Sequence, residues 1–134
     1  MNFDRHRHIF QSPKFQSVVD DAIKFFSETP VHKLPPLNKF TGAGVYILYY
    51  VGKYELYSRI SESNRDAPLR PIYVGKAVPP GWRTARVKDT QSSVLYQRLR
   101  EHAKSIGHSS NLEVDDFLCR FMILSGLESD LWSL

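Results

Sequence analysis

Three short apolar runs divide this chain and limit the folds open to it. They are rich in β-branched and aromatic residues and span positions 44–50, 71–77 and 117–124. Runs of this length and composition are typical of buried strands. The alternation of apolar and polar residues predicts a further strand at 54–60. We therefore predict a small, mostly antiparallel β-sheet.

Two other segments show the period of a helix. Ser12-Pro13 combines a helix-capping residue with proline at the first helical position, and apolar residues then recur at helical spacing through 13–28. A second apolar stripe runs along 91–106. Segment 30–40 holds three prolines, so we predict an extended arm there. The whole order predicts an α+β fold in which helices flank the sheet.

Bulk properties limit the classes of protein that this chain can belong to. It has 134 residues, of which 42% are hydrophobic, enough for one modest core. It has no apolar run of 18 residues that could span a membrane and no recognisable signal peptide. The single cysteine, Cys119, excludes an internal disulfide and suits a reducing cytoplasm.

Positive charge is concentrated in one part of the chain. Residues 65–104 contain nine Lys or Arg and three acidic residues, a net charge of +6, whereas the whole chain carries +4. A basic block inside a folded domain is typical of a polyanion-binding protein. A solvated basic face without a ligand is the alternative.

The tetrapeptide Tyr-Val-Gly-Lys occurs twice, starting at Tyr50 and at Tyr73. The first copy continues the strand that contains Tyr46 and leaves no room for a hairpin between them. The second copy follows a long excursion and opens a strand of its own. Antiparallel pairing of these strands could bring Tyr46 and Tyr73 together. Only the second copy can therefore form a two-strand site.

Three motifs in order resemble the GIY-YIG nuclease superfamily. They are GVY at 44–46, the second copy with YVG at 73–75, and RLREH at 98–102 on the predicted helix. The long connection between the first two motifs resembles the type II restriction endonuclease branch, as does PIYVGKAVPPGWR at 71–83. The resemblance implies a GIY-YIG-like domain that cuts DNA. We expect one domain over 1–134, with the N-terminal helix and arm at 1–40 and the catalytic core at 41–134.

The resemblance assigns roles to five residues. Tyr46 would be the general base, and Tyr73 would hydrogen-bond the scissile phosphate or the attacking water. Arg98 and His102 are four apart and share a helix face; Arg98 would steady the phosphate, and His102 would accept or orient the proton of Tyr46. Lys76 would contact phosphate. The residues predicted to bind DNA are Arg70, Arg83, Arg86, Lys88 and Lys104.

Structural roles are the alternatives for these residues. Tyr46 could be a core aromatic, Arg98 and Lys76 could be surface charges, and His102 could pack within its helix. Arg100 and Glu101 are predicted to be solvated helix residues.

A metal ligand is harder to identify. The family that this chain resembles binds one divalent ion, usually Mg²⁺, through a glutamate on a helix after the last motif. Glu128 is the nearest acid, and we predict it as a substitute ligand. The usual position falls at or beyond Leu134, so the last helix is expected to be truncated. We expect the chain to fold poorly or to lack activity unless it is extended.

The leading prediction is a sequence-specific double-stranded DNA endonuclease of type II restriction. It would be a homodimer that cuts a palindrome, with a cognate DNA methyltransferase in a prokaryotic cytoplasm. The alternatives are a DNA-binding fragment that does not cut and a structure-specific repair nuclease of the same superfamily. Base-reading residues are expected in 53–70 and in the loop at 82–91.

Overall fold

The sheet is open and antiparallel throughout. The structure, a computed structural model, describes residues 3–79 and 93–124. Within these ranges four strands pair in the order β1-β4-β2-β3. They are β1 (His32–Lys33), β2 (Ala43–Tyr50), β3 (Tyr73–Ala77) and β4 (Phe117–Leu124). The predicted α+β fold is confirmed, as are the strands predicted from the three apolar runs.

Three α-helices accompany the sheet in the described part of the chain. They are α1 (Pro13–Glu28), α2 (Ser58–Ser63) and α3 (Val94–Gly107). Helix α1 begins as predicted, because the Ser12 hydroxyl accepts a hydrogen bond from the backbone N–H of Phe15.

The predicted strand at 54–60 is wrong. A 3₁₀ turn at Glu55–Tyr57 and then α2 occupy this segment. Tyr54 and Tyr57, one helical turn apart, are both partly buried against the core, whereas Leu56 is 78% exposed. Burial therefore follows the helical period. Alternation over so few residues fits either period, and the aromatic residues suggested the wrong one.

The arm predicted at 30–40 is extended at His32–Lys33, where it forms one edge of the described sheet, and it bends at 34–35 and 37–38. Its short strand β1 pairs with β4, and Leu34 just after it is buried.

Helix α1 is tied to the sheet by Arg120 of β4, which is only 8% exposed. The Arg120 guanidinium donates hydrogen bonds to the carbonyls of Ser27 and Thr29 at the end of α1.

The core lies between α3 and one face of the sheet. Its buried side chains include Tyr46, Leu48, Tyr50, Leu95, Leu99, Ala103, Phe117 and Cys119. Burial raises the pKa of the Cys119 thiol to about 12, as expected for a packing cysteine rather than a reactive one. Tyr46 thus belongs to a closely packed layer that holds its ring in place.

Two predicted features lie outside the described residues. One is the basic loop that carries Arg83, Arg86 and Lys88, and the other is the helix after β4 with Glu128. Among residues 3–79 and 93–124, no helix is both long and apolar enough to cross a bilayer.

Candidate active site

Pairing of β2 with β3 brings two tyrosines together. In this register Tyr46 lies opposite Gly75, and Leu48 lies opposite Tyr73. Tyr46 and Tyr73 therefore leave the same face of the sheet. Their ring centroids are 5.9 Å apart.

Gly75 leaves room for this packing. A Cβ added at Gly75 would lie 2.5 Å from the Tyr46 hydroxyl oxygen and 2.8 Å from Cε1 of Tyr73. The Tyr46 ring thus occupies the space that a side chain at position 75 would need. At Gly44 the close neighbour is backbone instead, because an added Cβ would lie 1.9 Å from the carbonyl oxygen of Met122.

His102 completes a cluster of three rings. The Tyr46 hydroxyl and Nε2 of His102 are hydrogen-bonded at 2.7 Å. The His102 ring also contacts Tyr73, with centroids 4.8 Å apart. Since Arg98 lies about one turn before His102 on α3, the two share a helix face. Elements β2, β3 and α3 therefore each contribute a ring to one site.

Burial keeps Tyr46 in its protonated form. It is the largest cause that raises the pKa of Tyr46 above the ordinary value of 10.0, and Tyr73 adds to the rise. Interaction with the Arg98 guanidinium opposes the rise but does not outweigh it. At neutral pH the Tyr46 hydroxyl thus has a proton to donate.

His102 is suited to accept that proton. Burial is the main cause that lowers the pKa of His102 below 6.5, and the charge of Arg98 adds to this effect. Glu101 opposes both. The imidazole is therefore neutral at pH 7, and Nε2 acts as the acceptor when Nδ1 carries the ring proton.

Arg98 lies at the exposed side of the cluster, where it forms an ion pair with Glu101. The Nη1–Oε2 distance is 3.0 Å, and the two side chains are 48% and 63% exposed. Interaction with Tyr46 is the first cause that raises the pKa of Arg98, and Glu101 is the next. An exposed pair of this kind contributes little to stability, so an incoming anion can displace Glu101 at small cost.

Glu101 is a solvated helix residue, as predicted, but it also contacts Arg98 and influences the pKa of His102, a role that was not predicted. The spacing of three residues between Arg98 and Glu101 on a predicted helix was the available signal.

Lys76 is not brought into the ring cluster. It pairs with Val45, one position from the Tyr46–Gly75 pair, so its side chain leaves the opposite face of the sheet from Tyr46. Lys76 nevertheless lines an open groove together with Arg98. This is possible because β3 is an edge strand.

Two of the five predicted DNA-binding residues lie in the described part of the chain. Arg70 is exposed just before β3, and Lys104 is exposed in the last turn of α3. Lys104 follows His102 by two residues and so lies on another face of the helix. Arg83, Arg86 and Lys88 fall outside the described ranges.

The first Tyr-Val-Gly-Lys copy has a structural place. Tyr50 is 1% exposed, and its hydroxyl accepts a hydrogen bond from the backbone N–H of Tyr54 at 2.7 Å. A Cβ added at Gly52 would lie 2.4 Å from that hydroxyl oxygen. Each copy thus sets a glycine against a tyrosine hydroxyl of β2, but the tyrosine beside Gly75 is the one bonded to His102.

The described residues do not fit a divalent ion through their own side chains. No group of three or more His, Cys, Asp or Glu residues that could hold a metal occurs in 3–79 and 93–124. Glu101 is already engaged by Arg98. Glu128, the predicted ligand, lies outside the described residues.

Comparison with known proteins identifies one family. Residues 38–133, more than half of the chain, match the sequence model described as the Eco29kI GIY-YIG domain. This range contains all three motifs and the Tyr46–His102 pair, whereas α1 lies before it. A search of curated proteins found no match.

Proposed function

The chain belongs to the Eco29kI GIY-YIG domain family, a type II restriction endonuclease family, and we propose that it cuts double-stranded DNA at a specific sequence. Membership indicates a nuclease that acts on DNA. The observation that carries the proposed hydrolytic chemistry is the 2.7 Å hydrogen bond between Tyr46 and His102. It joins a protonated hydroxyl to a neutral imidazole in a site bordered by Arg98.

The proton path follows from this pair. The oxygen of Tyr46 takes a proton from the attacking water while its own proton passes to Nε2 of His102. Burial disfavours the charged tyrosinate and therefore raises the pKa of Tyr46. Transfer through the existing hydrogen bond avoids that anion. The water oxygen then bonds to phosphorus, the bond from phosphorus to the leaving oxygen breaks, and the leaving oxygen keeps that electron pair and takes up a proton from solvent.

Arg98 would stabilise the charge that grows on the phosphate. Its guanidinium is charged at every relevant pH and can present two N–H groups to two phosphate oxygens. The exposed ion pair with Glu101 supports this role, because the pair keeps the cation oriented and can open when a phosphate arrives. Tyr73 would donate its hydroxyl proton to a phosphate oxygen or to the water, a role supported by its 43% exposure beside Tyr46.

Further parts of the proposal concern cofactor and partners. GIY-YIG nucleases generally need a divalent ion, and here Mg²⁺ is proposed to help neutralise the phosphate, with Glu128 as its predicted ligand. We also propose a homodimer acting on a palindrome, a cognate DNA methyltransferase and a prokaryotic cytoplasmic setting. Two-fold symmetry of the enzyme would match that of its site.

Nicking of supercoiled plasmid tests the proposal. In contrast to the expectation from the sequence, we propose that the wild-type chain in Mg²⁺ yields discrete linear fragments, which EDTA should abolish. Tyr46→Phe should be inactive, whereas Tyr96→Phe on α3 should cut normally because it keeps the ring that contacts Phe40. A smear would favour a repair nuclease. Absence of cutting by the wild type, or equal cutting by Tyr46→Phe, would overturn the proposal.

A further inference from the structure

The excursion between β2 and β3 is a compact unit fixed to β2. The ring of Tyr57 packs edge to face against Tyr50 and against Tyr54. The Ser61 hydroxyl of α2 donates a hydrogen bond to the carbonyl of Gly52 at 2.6 Å. Both anchors on the strand side, Tyr50 and Gly52, belong to the first Tyr-Val-Gly-Lys copy. The first copy therefore anchors the excursion to β2.

Asn64 closes this unit. It is 3% exposed, and its amide uses all of its hydrogen-bonding capacity. The amide nitrogen donates to the carbonyls of Tyr50 and Arg70 at 3.1 and 2.9 Å. The amide oxygen accepts from the backbone N–H groups of Leu69 and Arg70 at 2.9 and 2.7 Å. Residues 69 and 70 are thus tied to the end of β2.

Three side chains project from this fixed backbone, and we call them the tip: Arg65, Leu69 and Arg70. Leu69 is 77% exposed, and both arginines are exposed. A loop that presents an exposed apolar group and two exposed guanidinium groups matches the chemistry of a DNA groove. Arginine contacts phosphates and guanine edges, and an apolar side chain contacts the thymine methyl group.

The tip lies beside the tyrosine pair. The backbone N–H of Ile72 donates to the carbonyl of Leu48 at 2.8 Å, and Tyr73 pairs opposite Leu48. Arg70 precedes Tyr73 by three residues, so their Cα atoms are at most about 11 Å apart. A major groove is about 12 Å wide. A duplex with a phosphate at Tyr73 would therefore also meet the tip.

We propose that the tip is a specificity-determining contact with duplex DNA and that Asn64 is its positioning residue. The inference rests on the proposed function, and it assigns base discrimination to a surface separate from the proton-transfer pair. Asn64 fixes where Leu69 and Arg70 stand relative to Tyr73. The side chains of the tip then favour some sequences over others.

The test compares Leu69→Ala and Arg70→Gln with matched controls in the connection between β1 and β2. The controls are Leu37→Ala, at a position 93% exposed, and Lys39→Gln, also exposed; both follow β1. The measurement is the ratio of cleavage rates at the strongest plasmid site and at weaker sites. Each tip variant should lower that ratio about tenfold, equal to about 1.4 kcal/mol, and the controls should not. Ratios equal to those of the controls would overturn the proposal while leaving the nuclease function intact.

Asn64→Asp tests the positioning role. The substitution keeps the shape of the side chain but turns two N–H donors into an oxygen that faces the carbonyls of Tyr50 and Arg70. The cleavage ratio should fall as in the tip variants. A lower melting temperature with an unchanged ratio would overturn the positioning role.

A different outcome separates the two proposals. Failure of the wild type to cut any plasmid in Mg²⁺ would overturn the proposed function. The tip would then be judged by fluorescence anisotropy with a labelled random-sequence duplex. Weaker binding by both tip variants than by the controls would support the contact, and equal binding would overturn it.

Discussion

The hydroxyl of Tyr46 lies 2.7 Å from Nε2 of His102, although 56 positions separate them in the chain. The bond links a central strand to the helix that covers it, so its geometry depends on the packing of α3 against β2. The Tyr46 ring is fully buried and its pKa is raised, so transfer of its proton to His102 is favoured over its release to form a tyrosinate. The protonation state of His102 therefore decides whether the pair can act.

Cleavage should fail on acidification. The pKa of His102 lies below its ordinary value of 6.5 because of burial and Arg98, so the neutral acceptor persists to mildly acidic pH. Below that pKa the imidazolium cannot take the proton of Tyr46. Single-turnover nicking rates from pH 5 to 8 should show an acid limb whose midpoint lies below 6.5.

His102→Gln is the control for that acid limb. Glutamine can accept a hydrogen bond but cannot take the proton. The variant should be slow at every pH, and the acid limb should be absent. A limb that persists in His102→Gln would assign the titration to another group.

Arg98 and Glu101 should move the pKa of His102 in opposite directions. The charge of Arg98 lowers this pKa and that of Glu101 raises it. Arg98→Gln should therefore raise the pKa of His102, and Glu101→Gln should lower it. NMR titration of the His102 ring proton measures both without reference to cleavage. If the pKa of His102 shifted in the same direction in both variants, the opposing effects of Arg98 and Glu101 would be contradicted.

Local sequence patterns predict much of this fold. Strand β4 and helix α1 have the predicted bounds, because their periods are strong over many residues. The segment at 54–60 is not a strand because Tyr57 packs on Tyr50 from a 3₁₀ turn, a tertiary contact that sequence alternation does not encode.

The site was predictable from motif order but not in its packing. Sequence motifs placed Tyr46, Tyr73 and His102 in one neighbourhood, and antiparallel pairing explains why they meet. The contact between Gly75 and the Tyr46 ring depends on register, which side-chain types alone leave open. The opposite direction of Lys76 depends on the same register.

Gly75→Ala should damage the site more than the fold. Its Cβ would lie 2.7 Å from Cζ and 2.5 Å from the hydroxyl oxygen of Tyr46, so the ring must move and its hydrogen bond to His102 would be disturbed. Overpacking of this kind costs about 1–3 kcal/mol, whereas cleavage should fall far more because the hydrogen bond is lost. Gly107→Ala is the matched control, since its nearest neighbour would be Cγ2 of Val114 at 3.7 Å. Urea unfolding and nicking rates measure both effects, and normal cleavage by Gly75→Ala would refute the role of this contact.

Phenylalanine substitutions at two tyrosines of β2, Tyr50 and Tyr46, should separate stability from chemistry. Tyr50→Phe removes the acceptor of the Tyr54 N–H bond and should lower the free energy of unfolding by about 1–3 kcal/mol.

Tyr46→Phe removes the proton donor to His102 and should abolish cleavage. The imidazole, which is half-buried, can find water in its place, so unfolding should change less than in Tyr50→Phe. Denaturant midpoints set beside nicking rates per folded molecule distinguish the two variants. If Tyr50→Phe lost cleavage with its stability intact, the first copy would belong to the chemistry rather than to the scaffold.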